Sequence, residues 1–127
     1  MASGAQILVV EDNDKNMKLF REILAAKGYR TLEAKTGEAA VALAAEHSPD
    51  LVLMDIQLPD IDGVEALGRL RADGRTASVP VLALTAQAME GDRERFLAAG
   101  FDGYVSKPVN ISEFVATVKR YCEEGSR

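Results

Sequence analysis

Cysteine is almost missing: Cys122 stands alone in 127 residues. No disulfide can close within the chain and no cysteine zinc cluster can form, which suits a reducing compartment. Tryptophan is absent and His47 is the single histidine, so a multi-histidine metal site is excluded as well. His47 falls on a stretch that reads as a surface helix and is expected to face solvent. Positive charge is also short, with 15 Lys and Arg against 20 Asp and Glu and a net charge of −5. That balance repels phosphate backbones and anionic lipid, so no nucleic-acid partner is expected. No apolar run approaches the ~20 residues of a membrane-spanning helix, and the short run before Glu11 lacks the basic flank of a signal peptide. Membrane insertion is therefore not expected, and the cytoplasm is the expected location.

What is present is ordinary globular material, 47% hydrophobic and 28% charged. The length allows one domain, 1–127, with a core expected over about residues 5–122. A folded monomer of 13.7 kDa should expose roughly 6,600 Å² against roughly 20,000 Å² unfolded, enough burial to need no staple.

Three short segments are apolar on both faces: Ile7 to Val10, Leu51 to Met54 and Val79 to Leu84. Such runs read as central strands of a parallel sheet covered on both sides. Tyr29 to Ala34 and Asp102 to Val105 read as weaker strands nearer the edges. Between them run amphipathic stretches. Met17, Phe20, Ile23 and Leu24 form one stripe after a cap at Asn13, ending at Gly28. Thr36 caps a second helix carrying Ala40, Val41, Leu43 and Ala44, ended by Ser48-Pro49. Asp62 and Glu65 open a third, expected to bury Val64, Leu67 and Leu70. A fourth, from about Glu90 to Ala99, carries only Phe96 and Leu97 as strong apolar residues. Asn110 and Glu113 open the last, with Phe114, Val115, Val118, Tyr121 and Cys122 on one side. Five β-α units predict an α/β fold, a doubly wound parallel sheet in the order 2-1-3-4-5 with five helices, flavodoxin-like. Its site belongs at the carboxyl ends of strands 1 and 3, where the order reverses.

Glu11 and Asp12 end strand 1, Asp55 ends strand 3, Thr85 ends strand 4, and Lys107-Pro108 follows strand 5. Crowded carboxylates repel unless one is protonated or a hard cation sits among them. Mg²⁺ suits an open site with few direct carboxylates, waters and a phosphoryl oxygen. An aspartate beside such an ion can attack a phosphoryl group while a lysine neutralises the transferring oxygens, and Asp55 is best placed to do so. A flavin phosphate would be repelled by Glu11, Asp12 and Asp14, and no dinucleotide or Gly-Lys-Ser/Thr phosphate loop occurs. A haloacid-dehalogenase-like Mg²⁺ phosphatase would need an acid/base two residues after its nucleophile, where Gln57 stands.

The stretches Val9-Val10-Glu11-Asp12-Asn13, Leu53 to Pro59 with Asp62-Gly63, Leu84-Thr85-Ala86 and Tyr104-Val105-Ser106-Lys107-Pro108 together resemble the CheY-like receiver domain of two-component response regulators. Asn16 to Phe20 and Asp55 to Pro59 resemble in particular the single-domain DivK type, linked to bacterial cell-cycle control. The resemblance implies a stand-alone phosphoacceptor, not a conventional enzyme, since a receiver catalyses only its own phosphorylation and dephosphorylation. It implies that Asp55 takes a phosphoryl group from a sensor histidine kinase or histidine phosphotransfer protein. Mg²⁺ would be held by Asp12, Asp55 and the Gln57 carbonyl, with Glu11 acting mostly through water. Thr85 and Lys107 would bind phosphoryl oxygens, and a cis Lys107-Pro108 peptide would aim the ammonium inward. Thr85 and Tyr104 would form the switch, Tyr104 turning inward to reshape the helix 4, strand 5, helix 5 face where a downstream protein docks. Gln57 and Gln87 would tune hydrolysis. The same motifs occur in receivers of hybrid histidine kinases, which act as phosphorelay intermediates and give the alternative reading.

Overall fold

The computed structural model describes residues 5–85, 92–107 and 109–124. Strand and helix alternate along them as β1 Gln6–Val10, α1 Asp14–Ala26, β2 Arg30–Ala34, α2 Gly37–His47, β3 Leu51–Asp55, α3 Gly63–Ala72, β4 Val81–Thr85, α4 Asp92–Ala99, β5 Gly103–Ser106 and α5 Ile111–Glu124. All strand pairs are parallel, in the order β2-β1-β3-β4-β5. The accessible surface is 6819 Å², close to the size expected for this mass. Among the described residues no helix is long and apolar enough to cross a membrane.

Alternation along the strands divides the core. Leu8, Val10, Val52, Met54, Val81 and Ala83 pack with Ala40, Ala44, Ala66, Leu67, Leu70 and Phe96 of α2, α3 and α4. Ile7, Val9, Leu51, Leu53, Leu82 and Leu84 pack with Met17, Phe20 and Leu24 of α1 and Phe114 and Val118 of α5. Phe20 and Phe114 bridge those two helices with ring centroids 5.4 Å apart. Each fully buried large side chain contributes about 1.5–3 kcal/mol of transfer free energy, so both layers are held mainly by apolar burial.

The helix starts follow their capping residues. Asn13 Oδ1 accepts from the Asn16 N–H at 3.0 Å, Thr36 Oγ1 from Ala39 at 3.1 Å, Asp62 Oδ1 from Glu65 at 2.8 Å, and Asn110 Oδ1 from Glu113 at 3.1 Å. Each satisfies one of the amides that a helix start leaves open. The Glu65 carboxylate itself pairs with Arg69 at 2.7 Å.

Several boundaries differ from the sequence expectation. Gly28 takes the left-handed φ of 87° and Tyr29 donates back to the Leu24 carbonyl at 3.1 Å. Tyr29 thus closes α1, and β2 begins one residue later. Val79 donates to Thr76 in a turn and Pro80 has no N–H, so β4 starts at Val81. Asp102 spends its carboxylate on the Val81 N–H, and β5 starts at Gly103. Val64, expected in the core, is 42% exposed. Gly63, Ala66, Leu67 and Leu70 occupy the inner stripe of α3, and a residue one step from Gly63 points about 100° away from it. The expected start of α4 at Glu90 lies outside the described residues, as do Gln87 and Pro108.

Candidate functional site

Strand register assembles the site. Val10 lies opposite Met54 and Asp55 opposite Leu84, so Glu11 and Asp55 leave adjacent strands side by side. Thr85 lies opposite Ser106, which sets Lys107 one step beyond, its N–H donating to the Thr85 carbonyl at 2.8 Å. The β1–β3 neighbourhood is the point where strand order reverses, the position at which such sheets open a crevice.

Carboxylate oxygens of Glu11, Asp12 and Asp55 lie within 4.8 Å of one another. Asp12 is exposed, whereas Asp55 and Thr85 are buried and Glu11 is 1% exposed. Lys107 Nζ stands between two of the acids, 2.5 Å from Glu11 Oε1 and 3.0 Å from Asp55 Oδ2. The other oxygens are anchored by backbone: Asp55 Oδ1 accepts the Gln57 N–H at 2.9 Å and Glu11 Oε2 that of Asn13 at 3.2 Å. These bonds orient each carboxylate before anything binds, which lowers the cost of ordering it later.

Burial pushes the Glu11 carboxyl above its ordinary range, and the Asp55 carboxylate adds to the rise; Lys107 pulls it back only in part. Burial acts on Lys107 in the opposite sense, but hydrogen bonds to Glu11 and Asp55 and their charges outweigh it and leave the ammonium held above its usual range. Lys107 is therefore a fixed cation near neutral pH.

The group opens into a cleft of about 410 Å³ lined also by Asn13, Asn16, Leu58, Pro59, Arg95 and Phe96. Its donor set is hard oxygen, open to water on the Asp12 side. Those features fit a small, strongly hydrated divalent cation better than a soft or fully caged one. The cluster is thus suited to hold a hard divalent cation.

The β3–α3 loop that carries Gln57 is tied at two points. A Cβ on Gly63 would sit 2.7 Å from the Asp55 carbonyl oxygen, so only glycine lets α3 start against the end of β3. Asp60 reaches the start of α2, accepting from Gly37 at 2.8 Å and Glu38 at 2.9 Å. The Gly63 motif was visible in the sequence, whereas no local signal pointed to Asp60 or to Arg95. Tyr104 is half-buried beside the α2–α4 core layer, and Gln57 is exposed. His47 is exposed on α2, next to Glu46 at 3.1 Å.

Residues 7–119 match the response regulator receiver domain family. The chain is a response regulator receiver domain. It is 47% identical over 115 residues to the polar-differentiation response regulator DivK of Brucella ovis, covering 91% of this chain and 94% of that protein. It is thus closely related to the DivK type. The receiver domain of a sensor histidine kinase from Pseudomonas aeruginosa, crystallised with a magnesium ion coordinated in its active site cleft, superposes with a TM-score of 0.88 at 38% identity, over 96% of this receiver and 100% of that chain. A chemotaxis response regulator of Vibrio cholerae superposes with a TM-score of 0.87 at 25% identity, over 94% and 99% of the two chains. Receivers catalyse only their own phosphorylation and dephosphorylation, so this one is no conventional enzyme.

Proposed function

We propose that the receiver accepts a phosphoryl group on Asp55 and, so modified, changes which protein it binds. One observation carries this: a buried aspartate, fixed through Oδ1 to the Gln57 amide and through Oδ2 to Lys107, stands at the floor of a cleft beside two further carboxylates. A carboxylate oxygen of Asp55 attacks phosphorus, the bond to the donor's imidazole nitrogen breaks, and that nitrogen leaves with the electron pair. Mg²⁺ held by Asp12 and Asp55 with the Gln57 carbonyl, and by Glu11 mostly through water, would neutralise charge on the transferring oxygens. Lys107 takes one phosphoryl oxygen by its ammonium, and the Thr85 hydroxyl donates to another. Before transfer the pairing of Lys107 with Asp55 and Glu11 keeps the cation poised inside the cleft rather than in solvent.

In this reading the donor is a sensor histidine kinase or histidine phosphotransfer protein. The output is a protein docking on α4, β5 and α5, with Thr85 and half-buried Tyr104 as the switch. The likeness to the polar-differentiation regulator DivK over nearly its whole length supports a stand-alone regulator of that type, for which the sequence resemblance implies a role in cell-cycle control. The likeness to a kinase-borne receiver supports a second reading, a phosphorelay intermediate that hands the group on.

Intact mass after exposure to acetyl phosphate tests the chemistry. The expected result is one labile phosphoryl on wild type with Mg²⁺, none with chelator and none on Asp55→Asn. Ordinary labelling of that variant would overturn the assignment. Incubating the labelled protein with a histidine phosphotransfer protein separates the two readings, since rapid loss of label to it favours the relay.

A further inference from the structure

One wall of the cleft is unused by the chemistry above. It is formed by Arg95 and Phe96 of α4. Phe96 is buried at 2% exposure, edge-to-face with Phe101 at 6.1 Å between ring centroids. The Arg95 guanidinium carbon lies 5.1 Å from the Phe96 ring centroid, within the range where a ring face holds a cation. A short helix with one aromatic anchor therefore presents a cation to the same space as Asp55.

Charge shows why this matters. Three carboxylates and the Lys107 ammonium, with a divalent cation among them, come to neutrality. Phosphorylation replaces the single charge of Asp55 by up to about two and adds three acceptor oxygens. Lys107 is already shared between Glu11 and Asp55, so one negative charge is left over inside the cleft.

We propose that Arg95 is a second cationic ligand of the phosphoryl group. Its guanidinium attracts an anionic donor and then pairs with phosphoryl oxygens on Asp55, for which its planar fork is well shaped. The inference rests on Asp55 as phosphoacceptor and adds a substrate-binding residue on α4. It also provides a direct mechanical link, because a pull on Arg95 acts on the helix whose buried anchor is the neighbouring Phe96.

The test uses the whole chain as wild type, Arg95→Gln, Arg95→Lys and Asp55→Asn. Each is phosphorylated with Mg²⁺ by acetyl phosphate, a dianion, and by phosphoramidate, which carries one negative charge fewer near neutral pH. Binding of beryllofluoride, a phosphoryl mimic, is followed separately by fluorine NMR. Arg95→Gln should lower the rate with dilute acetyl phosphate about tenfold, about 1.4 kcal/mol in barrier, and the phosphoramidate rate much less. It should also weaken beryllofluoride binding, and Arg95→Lys should restore most of both. Unchanged rates, equal losses with both donors, or a lysine variant as impaired as the glutamine variant would reduce Arg95 to packing on Phe96 and overturn the proposal. Label on wild type that persists in Asp55→Asn, or no label on wild type from either donor, would instead remove the phosphoacceptor reading and this inference with it.

Discussion

The two ends of the sheet bring similar side chains together and use them differently. At the amino ends of β4 and β5, Arg71 donates to the carbonyls of Ala77, Val79 and Gly100 and to the Asp102 carboxylate, which in turn accepts the Val81 N–H. One guanidinium meets one carboxylate there, and its other hydrogen bonds go to backbone carbonyls. At the carboxyl ends, one ammonium faces Glu11 and Asp55 with Asp12 close by. The first arrangement ties the α3–β4 and α4–β5 loops together. The second holds negative charge that its own lysine does not balance, at some cost to stability, and so keeps affinity for a cation and a phosphoryl group. Chemistry resides where the charges do not close.

If that contrast is right, adding a cation should change one end and not the other. Mg²⁺ at a hundred times its Kd should stabilise the fold by about 2.7 kcal/mol. The expected rise in Tm should disappear in Asp12→Asn and survive in Arg71→Ala, as read by calorimetry. An equal rise in Asp12→Asn would place the cation elsewhere. Breaking the closed end is the next largest effect: Arg71→Ala removes its hydrogen bonds to three carbonyls and to the Asp102 carboxylate, which keeps the Val81 N–H, and should cost about 2 kcal/mol. Denaturant unfolding should show that loss while labelling by acetyl phosphate stays within about twofold of wild type. A large loss of labelling would show that the two ends are coupled.

The smallest effect concerns the strap at the carboxyl end, where Asp60 ties the β3–α3 loop to the start of α2. Glu38 and then Gly37, through their N–H groups, hold the Asp60 carboxyl down at about 2, against an ordinary 3.8. A lowered folded-state pKa contributes stability above the ordinary value, and the contribution fades as pH falls from there through about 2. Asp60→Asn should therefore unfold at slightly lower urea than wild type at pH 7, with the gap narrowing below about pH 4. A gap that stays constant with pH would mean that the charge contributes nothing.

How much could be read in advance depended on range. β1, β3 and β4 were legible because a strand buried on both faces must be apolar throughout, and the helix starts because Asn13, Thr36, Asp62 and Asn110 act on amides three residues away. The convergence of Glu11, Asp12, Asp55, Thr85 and Lys107 was legible too, since parallel strands place all their carboxyl ends on one edge. Val64 was misplaced because an apolar residue at a helix start does not say which way the stripe turns. Asp60 had no signal, its partners being 23 and 22 positions away. Arg95 looked like any exposed charge on a weakly amphipathic helix.

By itself, then, the sequence determined the alternation of elements, the two-layered core and the edge at which acids and lysine gather, because hydrophobic period and strand direction are local properties repeated along the chain. Only the tertiary structure decided that Lys107 lies between Glu11 and Asp55, that Asp60 fastens the loop behind them, and that Arg95 shares their cleft. Those outcomes depend on distances between segments far apart in the chain, and such distances follow from how whole layers pack rather than from any single stretch of residues.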